Sequence, residues 1–434
     1  MKKRIQQLSY SLNNFATPGR IYVYPRIMAA IAAVMLLGNY LLGEGYYDFA
    51  GNLVGADFLS FYSNAIIFWS GEYSSFYSLE HQFKVMADVI PNFSGGIAPF
   101  LNPPYASILY APFGTLDYLQ ALILWWVLGL MALFSSLFLL NKHLTFQQDI
   151  RQRNFIYLLP IFFLPTWQWF AYAQVSTFIL LILTLSFVLL RQNKEFQAGL
   201  VLGLLAFKPQ LALPLALPIL IKLRWKAIAG GAITVSLWCL VGFYLFPEQM
   251  FQYWQERDSI LAVISMEGYP IWGIHSYYGF FQLILEGTLL TYTVVLISIG
   301  TVVYLFNQWY KTSWQPGTPE WDLRMSATMV AGLCLAIQLF SYDLLLLLLP
   351  FIVSYRVYQS AFKSTKFDND ILFSATILVY IVTFFSANLT LAQLNISQSL
   401  INAQFAIQLS TLSLIFWVLA AFRASRKINQ PSHV

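Results

Sequence analysis

The chain of 434 residues is 58% hydrophobic and only 10% charged, whereas a soluble domain carries about 25% charged residues. With a mean hydropathy of +0.63, water is not its main solvent, and a soluble globular protein is excluded. The net charge of +5 is distributed as a topology signal and is not a nucleic-acid footprint, so no nucleic-acid partner is expected.

Apolar runs long enough to cross a hydrocarbon core recur along the whole length. In chain order the predicted spans are 25–43, 118–140, 154–172, 174–190, 196–208, 210–222, 225–246, 288–307, 323–340, 342–357, 371–389 and 404–422. They predict an all-α polytopic membrane protein with about 12 transmembrane helices, built as one integral-membrane domain over 1–434. The stretch Met1 to Arg20 is polar and basic. No small-residue cleavage site follows the first apolar run, which is therefore read as a retained helix. The run from Phe196 to Lys222 is interrupted at Lys208-Pro209. Proline removes a helix donor and restricts the residue before it, so this run is either a tight hairpin of two short helices or one long kinked helix. Pro104 to Phe113 is apolar but too short to span, as a re-entrant or partly inserted helix would be. Cys239 and Cys334 both sit inside apolar runs, which indicates neither a disulfide framework nor a zinc site.

Lysine and arginine orient the spans. The predicted order puts all but three of the 24 basic residues on one face, the cytoplasmic one, with both termini. Lys84, Lys208 and Arg257 are the three left on the other face, where most of the 19 acidic residues fall. The cytoplasmic loops are short, whereas the outer loops at 44–117 and 247–287 are long. Long loops in a compact membrane domain are usually functional, so chemistry is expected on the outer face.

The first outer loop opens with Asp57, followed by Phe58, Phe61, Tyr62, Ala65, Ile66 and Trp69 at helical spacing. That pattern reads as an amphipathic helix lying in the membrane interface. Asp57 at its head is either an N-cap or a carboxylate held at the lipid–water boundary to take a proton from an acceptor hydroxyl. Lys208 is either a snorkelling lysine or a functional cation beside the spans. The second loop adds Arg257, His275 and the aromatic residues Tyr269, Trp272, Tyr277, Tyr278 and Phe280, which suit sugar faces and lipid headgroups equally. Asp343 either caps the very apolar stretch that follows it or faces a cavity. No P-loop, HExxH, CxxC pair or catalytic-triad spacing is present, and no His/carboxylate cluster demands a metal.

At these residues the chain resembles glycosyltransferase family 87, the polyprenyl-phosphate-mannose-dependent mannosyltransferases of the GT-C class. The resemblance runs from Asp57 to Leu349. It is carried by Asp57-Phe58, by Gly71-Glu72-Tyr73 with Phe76-Tyr77, and by Pro103-Pro104. Ala111-Pro112-Phe113, Trp125-Trp126, Ala173-Gln174-Val175-Ser176, Ala206-Phe207-Lys208-Pro209-Gln210 and Tyr342-Asp343-Leu344 continue it. Ala173 stands where the family often has glycine, Ser176 where it often has asparagine, and Asn102 where an aromatic usually precedes the prolines. Tyr342-Asp343 occurs where some members carry histidine.

The resemblance implies a GT-C-type fold and an inverting transfer of a hexose, mannose being the expected sugar. The donor would be a polyprenyl-phosphate sugar and the acceptor a lipid or glycan hydroxyl. The reaction would take place at the outer, periplasmic face of the inner (plasma) membrane, without a metal or other cofactor. Asp57 would be the general base. Charge develops on the phosphate of the leaving group, so a fixed cation or donor there stabilises the transition state. Lys208 is the first candidate, with Arg257 and His275 beside it. Gln174, Asn102, Tyr342 and Asp343 complete the expected substrate-binding set. A transporter or flippase, or a polymerase, of lipid-linked glycans is the competing class.

Overall fold

The computed structural model describes residues 18–91, 93, 95–144, 155–255, 269–361, 366–401 and 405–428. Each predicted span has a helical counterpart among them. Long helices are α1 (Pro18–Leu41), α4 (Tyr118–His143), α9 (Trp225–Leu245), α12 (Gly287–Tyr310), α15 (Lys366–Ile401) and α16 (Leu409–Lys427). Shorter legs are built from α5 (Leu164–Tyr172), α6 (Ser176–Arg191), α7 (Glu195–Leu202), α8 (Leu213–Ile221), α13 (Pro319–Cys334) and α14 (Leu348–Ala361). The site end carries α2 (Ala56–Ser70), α3 (Leu79–Val89), α10 (Pro247–Gln255) and α11 (Tyr277–Gln282). Among the described residues, five helices are long and apolar enough to cross a bilayer unaided: α4, α9, α12, α16 and the Ile371–Ser399 part of α15.

The outward surface is apolar, as a lipid-facing surface must be. On α9, Trp225 (67% exposed) and Tyr244 (86%) mark the two ends. On α12, Tyr292 and Tyr310 do the same. At 1.5 Å per residue these pairs lie about 28 Å and about 27 Å apart, close to the roughly 30 Å of a hydrocarbon core flanked by aromatic belts. In contrast α13, at the centre, is buried along nearly its whole length.

Basic side chains gather at one end of the bundle, as the span order requires. The Asp322 carboxylate, fully buried, accepts from Arg191 and Arg356 at 2.8 Å each. Arg191 also donates to the His143 carbonyl at 2.7 Å, and Arg324 to that of Gln308 at 2.7 Å. Lys222 donates to the Thr312 carbonyl at 2.7 Å. Each group is paired, which is what makes charge at such depth tolerable.

The same end settles the alternative at 196–222. Arg224 Nε donates to Glu195 Oε1 at 2.9 Å, so the chain leaves this level at Glu195 and returns to it by Arg224. The segment is a hairpin. One leg is α7 and the 3-10 turn Gly203–Phe207, and the other is the 3-10 turn Pro209–Leu211 and α8, with Lys208 at the tip.

Two expectations are corrected. The span predicted at 154–172 is not one helix: Pro160 and Pro165 divide it into the 3-10 turns Phe155–Tyr157 and Leu159–Phe162 and the helix α5, because proline cannot donate within a helix and clashes with the preceding turn. Nor does α2 lie on a surface. Phe58, Leu59, Phe61, Tyr62, Ser63, Asn64, Ala65 and Ile67 are all buried, packed against α3, α4 and the short helical turns of 104–115. Those turns are the counterpart of the short apolar segment Pro104 to Phe113.

Candidate active site

Three hairpin tips meet under α2. They are the turn between α5 and α6, the Lys208 tip, and the turn between α13 and α14. Their height follows from helix geometry. The leg from Glu195 to Phe207 rises roughly 22 Å, eight residues at 1.5 Å and five at 2.0 Å. Lys208 therefore lies roughly 6 Å inside the aromatic belt at the far end from the arginines.

The first residues of α2 show why Asp57 reaches the tips. The N-cap is Gly55, at φ 69, and no side chain caps the helix. The left-handed conformation favours glycine, and a β-carbon there would push the Leu122 side chain aside, its Cδ1 being 2.6 Å away. The Gly55 amide donates to the Ala171 carbonyl at 3.2 Å, and the Tyr118 hydroxyl donates to the carbonyls of Val54 and Gly55 at 2.9 and 3.1 Å. Asp57 thus stands in the first turn without capping it, where the helix dipole favours a carboxylate.

Its partner comes from the α5–α6 turn. Gln174 Nε2 donates to Asp57 Oδ2 at 2.8 Å and to the Tyr342 hydroxyl at 3.3 Å. Lys208 Nζ donates to Gln174 Oε1 at 3.4 Å. In the neighbouring pair, Ser176 Oγ donates to Asp343 Oδ1 at 2.7 Å, while the Phe340 amide donates to Asp343 Oδ2 at 3.4 Å. Burial is the largest influence on Asp57 and pushes its carboxyl above the ordinary carboxylate range. The Gln174 hydrogen bond, the Lys208 charge and the Tyr342 hydroxyl oppose it.

Five of the expected residues, Asp57, Gln174, Lys208, Tyr342 and Asp343, therefore converge from four separate parts of the chain. Two others, His275 and Asn102, do not join them. His275 is fully buried, its ring nitrogens paired with Ser410 Oγ at 2.5 Å and Ser341 Oγ at 2.7 Å. Burial lowers its pKa to about 3, which keeps it neutral. It braces the turn that carries Tyr342 and reaches the cluster only through Ser341. Asn102 is half-buried and offers its carbonyl to the Tyr77 hydroxyl at 2.9 Å. Nearby Tyr105 donates to the Ala206 carbonyl at 3.0 Å, so the Pro-Pro segment steadies the Lys208 hairpin. Arg257 lies outside the described residues.

Sequence reasoning missed two members of the site. Ser176 holds Asp343, and Tyr172 presents a 41% exposed ring with its centroid 5.7 Å from that of Tyr342. From Tyr342 the rings continue through Phe340 at 5.4 Å to Tyr269 at 6.0 Å. Such a row offers apolar faces beside the carboxylate. Among the described residues no group of three His, Cys, Asp or Glu comes together as a metal site would require.

The model of glycosyltransferase family 87 matches residues 100–337, more than half of the chain. The chain belongs to glycosyltransferase family 87. It is a membrane glycosyltransferase by family, and its all-α multi-pass fold agrees with that. Comparison with curated proteins and with solved structures finds no match. Gln174, Ser176 and Lys208 lie inside the matched region, while Asp57, Tyr342 and Asp343 lie outside it. The geometry above joins the two sets.

Position 173 has a backbone conformation that suits glycine. Ala173 closes α5 at φ 52, in the left-handed region, fully buried. Its carbonyl accepts from Trp125 Nε1 at 2.8 Å, and that of Gln174 accepts from Trp169 Nε1 at 2.7 Å. Alanine there costs roughly 1–2 kcal/mol, partly offset by the greater freedom of glycine in the unfolded chain. Ala173→Gly is expected to stabilise the protein by about 1 kcal/mol without loss of activity. Thermal unfolding in detergent checks this; a lower melting temperature would mean that the methyl group packs more favourably than the turn is strained.

Proposed function

We propose that the protein transfers a hexose, with mannose the expected sugar, from a polyprenyl-phosphate donor to a hydroxyl of a lipid or glycan acceptor, with inversion. One observation carries the reading. A carboxylate released from helix capping and a lysine are bridged by a single glutamine, at a level just inside the aromatic belt. A phosphate on a lipid chain reaches that level without leaving the membrane. The positive-inside rule supports a cytoplasmic arginine-rich end, and in this reading the site lies on the outer, periplasmic side of the inner membrane.

In this reading Asp57 takes the proton from the acceptor hydroxyl as its oxygen attacks the anomeric carbon. The bond from that carbon to the phosphate oxygen breaks on the opposite face, and the electron pair leaves with the polyprenyl phosphate. Lys208 meets the charge that develops there. A single displacement inverts the anomeric centre. Asp343, with both oxygens engaged by Ser176 and Phe340, is not free to act as a second nucleophile. No cofactor enters these steps.

The test uses purified protein in lipid nanodiscs with radiolabelled polyprenyl-phosphate mannose and a lipid extract of the native host. Label is expected to move to a new lipid or glycan, and the product then identifies the acceptor. No movement, with other polyprenyl-phosphate hexoses also tried, would overturn the reading and direct attention to a flipping assay for the transporter class.

A further inference from the structure

We infer that Gln174 is a neutral spacer, a positioning residue that keeps Asp57 and Lys208 from closing into an ion pair. The inference rests on the proposed transfer for its purpose, but its geometry stands by itself. The glutamine amide is inserted between the two charges, with Nε2 on Asp57 at 2.8 Å and Oε1 on Lys208 at 3.4 Å. Among the described residues, none of the ion pairs of 4.0 Å or less joins Lys208 to Asp57 or to Asp343. The amide orientation is not arbitrary, because an ammonium has no acceptor and a carboxylate no donor. Only one flip satisfies both.

Every hydrogen-bonding function of the amide is used. One N–H meets Asp57, the other faces the Tyr342 hydroxyl, and Oε1 also accepts from the Val175 amide at 3.3 Å. Gln174 is itself buried, 7% exposed. Its backbone is pinned by Trp169, so it cannot drift away from the gap.

The consequence is chemical. An oppositely charged pair at such depth would close on itself if nothing stood between, since the attraction strengthens as water is excluded. A closed pair would spend the base on the lysine and the lysine on the base. Acceptor hydroxyl and phosphate would then each lack a partner. With the amide in place the base keeps an oxygen for the acceptor proton, and the ammonium keeps N–H groups for the leaving phosphate.

Two substitutions separate this role from simple packing, because they act in opposite directions. Gln174→Ala opens the gap, and Lys208 is expected to close on Asp57, so that the carboxyl takes up its proton at lower pH by about one unit. Gln174→Met fills the same space without a donor, and the carboxyl is expected to take up its proton at higher pH by about one unit. The groups facing Asp57 are Lys208, Asp343, Tyr342, Tyr118, Tyr172 and Tyr269, all present in both variants.

The readout is the infrared band of the protonated Asp57 carboxyl, assigned by its absence in Asp57→Asn and titrated in the full-length protein in nanodiscs. Shifts of opposite sign, with kcat reduced at least about tenfold in both variants, are the expected result. Shifts of the same sign, or none in folded variants, overturn the spacer. Wild-type protein without transferase activity but with the opposite shifts would instead overturn the function proposed above and leave the spacer standing.

Discussion

Asp57→Asn is expected to abolish hexose transfer, lowering kcat by about 10²- to 10⁴-fold, the range lost when a positioned general base is removed. The change is close to isosteric, and the asparagine carbonyl oxygen still accepts from Gln174, so expression and melting temperature should stay at wild-type values. A base works in its ionised form, so activity is present above the pKa of Asp57 and lost as pH falls through it. Burial raises that pKa as the largest influence, with Gln174, Lys208 and Tyr342 opposing. The acid limb of kcat/KM should therefore lie above the ordinary carboxylate value of about 4. Residual transfer by Asp57→Asn should not show this limb. A variant that keeps more than a tenth of wild-type activity would remove Asp57 from the mechanism and return it to a structural role at the head of α2.

How much of this was readable beforehand depends on the range of the interaction. Hydropathy runs located the legs, and the separation of lysine and arginine grouped their ends correctly, since both are composition signals set by lipid and water. The break within 154–172 was less visible, because the leg remains apolar throughout and Pro160 and Pro165 alter only its hydrogen bonding. Period alone also misread α2. Ser60, Ser63 and Asn64 look like a wetted face, yet these small polar groups are buried beneath neighbouring turns. Five residues of the site were legible beforehand, whereas Ser176, Tyr172 and the meeting of the whole set were not. Asp57 and Gln174 are separated by 117 positions, and Ser176 and Asp343 by 167. Only the fold brings them together. The distinction between N-cap and free carboxylate turned on the backbone of Gly55, about which the side-chain pattern says nothing.

Lys208→Met is expected to reduce kcat/KM for the donor by about 10²- to 10³-fold, the scale of losing one preorganised group that stabilises developing charge. Methionine keeps an apolar stem of similar reach, so the packing contribution of a snorkelling lysine would survive the change. The charge balance explains why the ammonium matters. With both carboxyls ionised, Asp57 and Asp343 carry two negative charges against one positive on Lys208, and a donor phosphate adds another. Removing the lysine leaves the phosphate facing only like charge in a half-buried site, where screening by salt is weaker than on an open surface. Donor KM should therefore rise as well as kcat fall. Asp343→Asn placed on the Lys208→Met background should recover part of the donor affinity, because it removes one of the opposing charges without restoring the ammonium. Measuring KM for the polyprenyl-phosphate donor in wild type, both single variants and the double variant separates the two roles. If Lys208→Met leaves donor dependence unchanged, the lysine only reaches for the interface, and the cation for the leaving phosphate must be sought elsewhere on this face.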